Sequence, residues 1–127
     1  MDGRIIAWLL ICDPSQQNLN SIVKELQASK SSISVAIRQL IYSGWVERIS
    51  LPGERCDYFR LRDDFYSSSI EFFTSRLLRL GELTGLGLAL MDSSSPEQLK
   101  RLQKANKIFS IIGEEMHNFI KTRVEES

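Results

Sequence analysis

Histidine, cysteine and net charge are what this sequence has least of. Its 127 residues include one histidine, His117, and two cysteines, Cys12 and Cys56. The cysteines lie far apart and neither has a CxxC partner. Metal-ligand spacing is therefore absent, and no metal or other cofactor is expected. Both cysteines are expected to be small buried hydrophobes, with redox sensing as the alternative. A lone histidine without a nucleophile or metal partner argues against hydrolytic chemistry, and no glycine-rich phosphate loop is present. The acid pairs Asp63-Asp64 and Glu114-Glu115 would diverge by about 100° on a helix, so neither converges on one substrate. Asp63-Asp64 reads instead as a helix start favoured by the helix dipole. An enzyme is not expected.

Long apolar runs are also missing. None approaches the roughly 20 residues that a membrane span requires. Ile5 to Cys12 is short and has no small-residue cleavage site after it, so no signal peptide is expected and the protein reads as cytoplasmic. Hydrophobic residues make up 43% and charged residues 25%, the balance of a folded chain. The length suits one domain, or a small domain with an appended helical module. Formal net charge is zero, which at first argues against a nucleic-acid partner. Its distribution is more informative. Residues 1–62 carry eight Lys/Arg against six Asp/Glu, and residues 63–127 carry eight against ten. The weakly basic half is where a DNA reader belongs, and its small excess calls for a dimer or a localised basic face.

Along the chain, Gly3 to Cys12 is dense in apolar residues and stops at Asp13-Pro14. It predicts a buried helix, with a strand as the alternative at this length. Gln16 to Leu19 is a connector able to pair as a brief strand. Asn20 is the expected N-cap of a short helix carrying Ile22, Val23 and Leu26. Ser29 is a second cap candidate, opening a helix whose Ile33, Ala36, Ile37, Leu40 and Ile41 share one face. Gly44 is placed to end it in the left-handed conformation. Trp45–Leu51 and Cys56–Leu61 predict strands joined by the turn Pro52-Gly53-Glu54-Arg55, a β-hairpin. From Asp63 or Asp64 a long helix is expected to Met91, broken by Asp92-Ser93-Ser94-Ser95. A last helix then starts with Ser95 as cap and Pro96 at the first position, and runs to about Arg123.

Helix, short strand, helix, turn, helix, hairpin is the winged helix-turn-helix order, in which the second helix of the pair reads the major groove. The expected fold is mainly α with a small β-hairpin: a winged helix-turn-helix DNA-binding domain over 1–62, then two long C-terminal helices forming a dimerisation region over 63–127. With Ile33, Ile37 and Leu40 turned to the core, the reader helix presents Ser31, Ser34, Val35, Arg38 and Tyr42. Arg38 suits a bidentate contact to guanine, and Val35 a thymine methyl. Ser29, Lys30 and Ser32 sit at the helix start, where hydroxyls, a positive charge and open NH groups suit a phosphate. Arg55 at the wing tip suits the minor groove of A·T tracts. The plain alternative for each is a solvated, capped helix face or turn. Arg48, Arg60 and Arg62 flank the hairpin, either to touch phosphates or to pair with Glu47, Glu54 and Asp57.

The segment LNSIVKELQASKSSISVAIRQLIYSGWVERISLPGERCDYFRL resembles the MarR-type regulators, most closely their GbsR-like branch. SKSSIS at the reader-helix start, RQL.YSGWVER running into the first wing strand, and PGER at the wing tip carry the resemblance, and GR..AWLL upstream fits it. It covers residues 3–62, while the helical half matches only in general pattern. It implies a DNA-binding transcriptional regulator acting as a homodimer on double-stranded DNA. Such proteins usually have a further N-terminal helix that helps the dimer. This sequence starts almost at the next one, which implies a different dimer interface.

In the helical half, Ile70, Phe73, Leu77, Leu80 and Leu88 recur at 3,4 spacing, as do Leu102, Ala105, Phe109, Ile112, Met116 and Phe119. Such stripes form seams for other helices, within the chain and in a partner copy. Gly81, Gly85 and Gly87 are unusual inside a helix. They fit a close helix crossing or a bend, or a cavity for a small-molecule effector. Lys100, Arg101, Lys104 and Lys107 make a basic face, solvated or resting on DNA backbone. The function read from these features is a sequence-specific regulator on a pseudo-palindromic operator. The alternative is a winged-helix protein-interaction module without DNA binding.

Overall fold

The computed structural model describes residues 1–91 and 95–124. Its elements run α1 (Asp2–Ile11), β1 (Gln17–Asn18), α2 (Leu19–Leu26), α3 (Lys30–Tyr42), β2 (Val46–Ser50), β3 (Asp57–Leu61), α4 (Phe65–Leu90) and α5 (Pro96–Phe119), with a π-helical turn at Ile120–Val124. The fold is mostly helical with one small antiparallel sheet, in the order β1-β3-β2. Met1–Ser69 packs as one compact unit and Ile70–Ser127 as another. The first turn of α4 goes with the winged unit. There Phe65 stacks on Trp45 with ring centroids 5.5 Å apart, and the Ser68 hydroxyl donates to the Gly44 carbonyl.

The apolar stretch Gly3 to Cys12 is helical, not a strand, but α1 covers Asp2–Ile11 and is buried on one face only, with Leu10 and Ile11 exposed. Ile5 and Leu9, one turn apart, are buried in the core of the winged unit. The same core takes Ile22 and Leu26 from α2, Ile33, Ala36, Ile37 and Leu40 from α3, Val46 from β2 and Phe59 from β3. Three helices and a sheet thus share one apolar centre. Burying residues of this size contributes about 1.5–3 kcal/mol each.

The N-cap of α2 is Asn18, not Asn20. Its Oδ1 accepts from the Ser21 amide at 2.8 Å. The reason lies in β1: Asn18 pairs with Tyr58 of β3 and is held extended, as a cap residue must be. Asn20 then falls inside the helix. Cys12 is half-buried against the core, where desolvation raises its thiol pKa, but Cys56 is exposed beside the wing turn. The expectation that both thiols are buried is corrected at Cys56, which lies outside the apolar centre that Phe59 enters.

Gly44 follows α3 at φ 85°, and a Cβ there would lie 2.9 Å from the Ser68 carbonyl carbon and oxygen. Both the left-handed backbone and the close approach of α4 require glycine. Ser95 caps α5 by accepting from the Gln98 amide at 3.3 Å, with Pro96 following it. The expected break at Asp92, Ser93 and Ser94 lies outside the described residues.

Candidate nucleic-acid interface

The α2–α3 turn is tight. Gln27 ends α2 in the left-handed conformation at φ 50°, and Ser29 opens α3 two residues later. The Ser29 hydroxyl oxygen accepts from the Ser32 amide at 3.2 Å, and the hydroxyls of Ser29 and Ser32 lie 2.8 Å apart. The cap fixes where α3 begins. The core contacts of Ile33, Ala36, Ile37 and Leu40 then fix its rotation.

The outward face follows from that rotation. Ser31, Val35, Arg38 and Tyr42 form one exposed line, with Val35 46% and Tyr42 70% accessible. Ser29, Lys30 and Ser32 are exposed at the helix start, and Ser34 is half-buried at the edge of the line. Gln39 is exposed on the same helix. Sequence reasoning missed it, although its spacing from Val35 and Tyr42 is the signal that finds it.

The wing is the β2–β3 hairpin, with Val46 opposite Leu61 and Ser50 opposite Asp57. Gly53 turns the tip at φ 80°, and the Glu54 amide donates to the Leu51 carbonyl. Arg55 is exposed at this tip. The other wing arginines have acidic partners. Arg60 donates to Glu47 at 2.5 Å, Arg62 grips Asp64 at 2.9 and 3.1 Å, and Arg48 lies 3.7 Å from Asp57 and over the Phe59 ring. The hydrogen bond from Arg62 holds the Asp64 carboxyl below its ordinary range, and the same pairing raises the Arg62 pKa. Ion pairing is thus the observed arrangement of these three, with Asp64 where Glu54 had been expected. A cleft of about 280 Å³ separates wing and reader, lined by Asn18, Asn20, Lys30, Cys56 and Asp57 among others. It sets Lys30, the reader's first residue, across from Cys56 and Asp57 at the turn end of the wing.

In the other unit α4 and α5 run antiparallel. A Cβ on Gly81 would lie 3.0 Å from the Ser110 hydroxyl, one on Gly85 3.4 Å from the Asn106 amide, and one on Gly87 3.2 Å from Leu102. The α4 glycines serve close helix packing. Asn106 seals the crossing by donating to the Gly81 carbonyl at 2.9 Å and to Thr84 at 3.1 Å.

The expected dimerisation residues divide between two environments. Phe73, Leu80, Ile112 and Phe119 are exposed, while Ile70, Leu77, Leu102, Phe109 and Met116 are half-buried, Leu102 against Gly87 of its own unit. Leu83, Leu86, Leu90, Ile108 and Ile111 are exposed as well, and their helical spacing in the sequence was the overlooked signal. At about 100° per residue, Phe73 and Leu80 lie to one side of the α4 line that faces α5, and Ile112 and Phe119 to the corresponding side of α5. Because the helices are antiparallel, these are the same side of the layer. Glu71, Ser75 and Glu82 of α4, with Glu114 of α5, occupy the other side, so the layer is amphipathic.

A helix-turn-helix closed by a three-stranded sheet, with its last two strands as a wing, defines a winged helix-turn-helix protein. Its relatives are of that class. The chain is 32% identical over 108 residues to the HTH-type transcriptional regulator MmpR5 of Mycobacterium tuberculosis, a match that takes in 85% of this chain and 66% of that one. It therefore spans just under two thirds of the length of that relative. The crystal structure of a transcriptional regulator superposes with a TM-score of 0.84 at 28% identity, over 99% of this chain and 85% of the other. A helix-turn-helix transcriptional regulator is thus what the chain resembles in sequence, and a transcriptional regulator is what it resembles in structure. No protein-family model matches it. Among the described residues, no helix is long and apolar enough to cross a membrane.

Proposed function

We propose that the chain is a MarR-type transcriptional regulator that binds double-stranded DNA as a homodimer on a pseudo-palindromic operator. The carrying observation is the exposed line Ser31, Val35, Arg38 and Tyr42 on a helix whose opposite face is locked in the core. Such a line offers a close-approach serine, an apolar contact for a thymine methyl and a guanidinium for guanine. Ser29, Lys30 and Ser32 contact the phosphates at the helix start, and Arg55 enters the minor groove from the wing. The amphipathic α4–α5 layer supports the homodimer. Its apolar side exposes Phe73, Leu80, Ile112 and Phe119, and a second copy covers it. The two reader helices then address half-sites about one helical turn apart, roughly 34 Å. The GbsR-like branch rests on the motifs SKSSIS and PGER.

Selection of duplexes from a random pool, followed by electrophoretic shift of the winners, tests the reading. A selected pool that converges on an inverted repeat supports it. A pool that stays random after repeated rounds sinks it.

One observation favours a second reading. Arg48, Arg60 and Arg62 all pair with acids, and formal net charge is zero. A winged-helix module that binds protein instead of DNA would look this way. It predicts no salt-sensitive binding to any duplex.

A further inference from the structure

We propose that two copies of the chain pair α5 against α5 in the antiparallel sense, centred near Ile108 and Ile112, with Arg101 and Lys104 of each copy alongside Glu115 of the other. This rests on the homodimer reading and adds to it an orientation and a set of ion pairs.

The apolar centre of the contact is on the surface. Ile108, Ile111 and Ile112 are 42%, 50% and 42% exposed at the middle of α5, and Phe119 is 55% exposed near its end. Arg101 shares their side of the helix, seven residues before Ile108. The charges on either side of this centre are ordered. Glu97 comes first, then the exposed run Lys100, Arg101, Lys104 and Lys107, then the isoleucines, then exposed Glu114 and Glu115, and finally exposed Lys121 and Arg123 in the π-helical turn.

Turned end for end about residues 108–112, the charges on the isoleucine side are their own complement. Arg101 and Lys104 meet Glu115, and Glu97 of the first turn meets Arg123 of the last one, while Glu114 lies on the other side of the helix. A two-fold axis there makes each pair occur twice, as an isologous contact requires. Parallel pairing sets like charge beside like at every one of these positions, which is destabilising. The isoleucines drive association in either sense, but the charges select the antiparallel one.

Sedimentation equilibrium of the full chain at low salt tests this with three variants. Arg101→Glu with Lys104→Glu, and separately Glu115→Lys, should each raise the dimer dissociation constant about tenfold or more. Combining all three changes should return it toward the wild-type value. The gap between the variants should narrow in 1 M salt. All three positions are exposed, and circular dichroism confirms that each variant keeps its helices. A wild-type dimer that the reversals leave unchanged, or that the combination weakens further, overturns the antiparallel pairing alone. A wild type that stays monomeric at every concentration overturns the homodimer reading as well.

Discussion

In the proposed reading, base recognition rests on two side chains, Arg38 and Arg55, in different ways. Arg38 stands mid-line on α3, between Val35 and Tyr42. Arg38→Ala should cost about 1–3 kcal/mol on the preferred site and relax preference at one base pair, measured by competition between site variants. Arg55→Ala should weaken binding with a smaller change of preference. Equal losses across all sequences for both would contradict these roles. Thr74 carries a stability prediction. It is 2% exposed, and its hydroxyl has no hydrogen-bond partner among the described residues. Thr74→Val keeps the shape and removes the unsatisfied group, so it should stabilise the chain by about 1 kcal/mol in urea unfolding. Asp64 carries a pH prediction. Its folded pKa is depressed by Arg62, so its contribution is present above the unfolded carboxylate range and fades as pH falls through the folded value. In Arg62→Ala, the Asp64 carboxyl should titrate closer to its ordinary range by NMR. No change there would mean that Arg62 is not the cause.

Helix starts and the hairpin were readable from local chemistry, because the signals sit within four residues of what they control. Ser29, Ser95 with Pro96, Gly44 and Gly53 stand where their chemistry places them. What was not readable depends on distant partners. Asn18 displaces Asn20 as a cap because Tyr58, forty residues on, holds it in a strand. Gln27 takes a left-handed conformation in the α2–α3 turn without being glycine or asparagine, because buried Leu26 and Ile33 fix the elements on both sides. The exposed face of α3 was legible once its core face was assigned. The acid partners of Arg48, Arg60 and Arg62 were legible only as a set, since sequence spacing does not say which strand positions face each other. Gly44 gives the element-scale prediction. Gly44→Ala must adopt φ 85° and also push Cβ into the Ser68 backbone. It should destabilise the winged unit by about 2 kcal/mol or more, read as a lowered denaturation midpoint. A neutral outcome would mean that α4 does not approach this turn as described.

For the whole molecule, zero net charge and a functional DNA surface are compatible. The acids of the wing neutralise its arginines locally, while Lys30, Arg38 and Arg55 remain exposed around the reader. In the proposed reading each copy makes few phosphate contacts, so a second copy matters, with affinity resting on two reader helices on one duplex. The amphipathic α4–α5 layer supplies a physical reason for that second copy. The central claim is that the α3 face reads DNA sequence. It is tested most directly by fluorescence anisotropy of the selected duplex and a scrambled duplex across a salt series, with wild type and Arg38→Ala side by side. The expected result is wild-type preference for the selected duplex by about 10³ or more, affinity falling linearly with log salt, and a preference much reduced in Arg38→Ala. Equal binding of both duplexes, or binding that salt leaves unchanged, would contradict it.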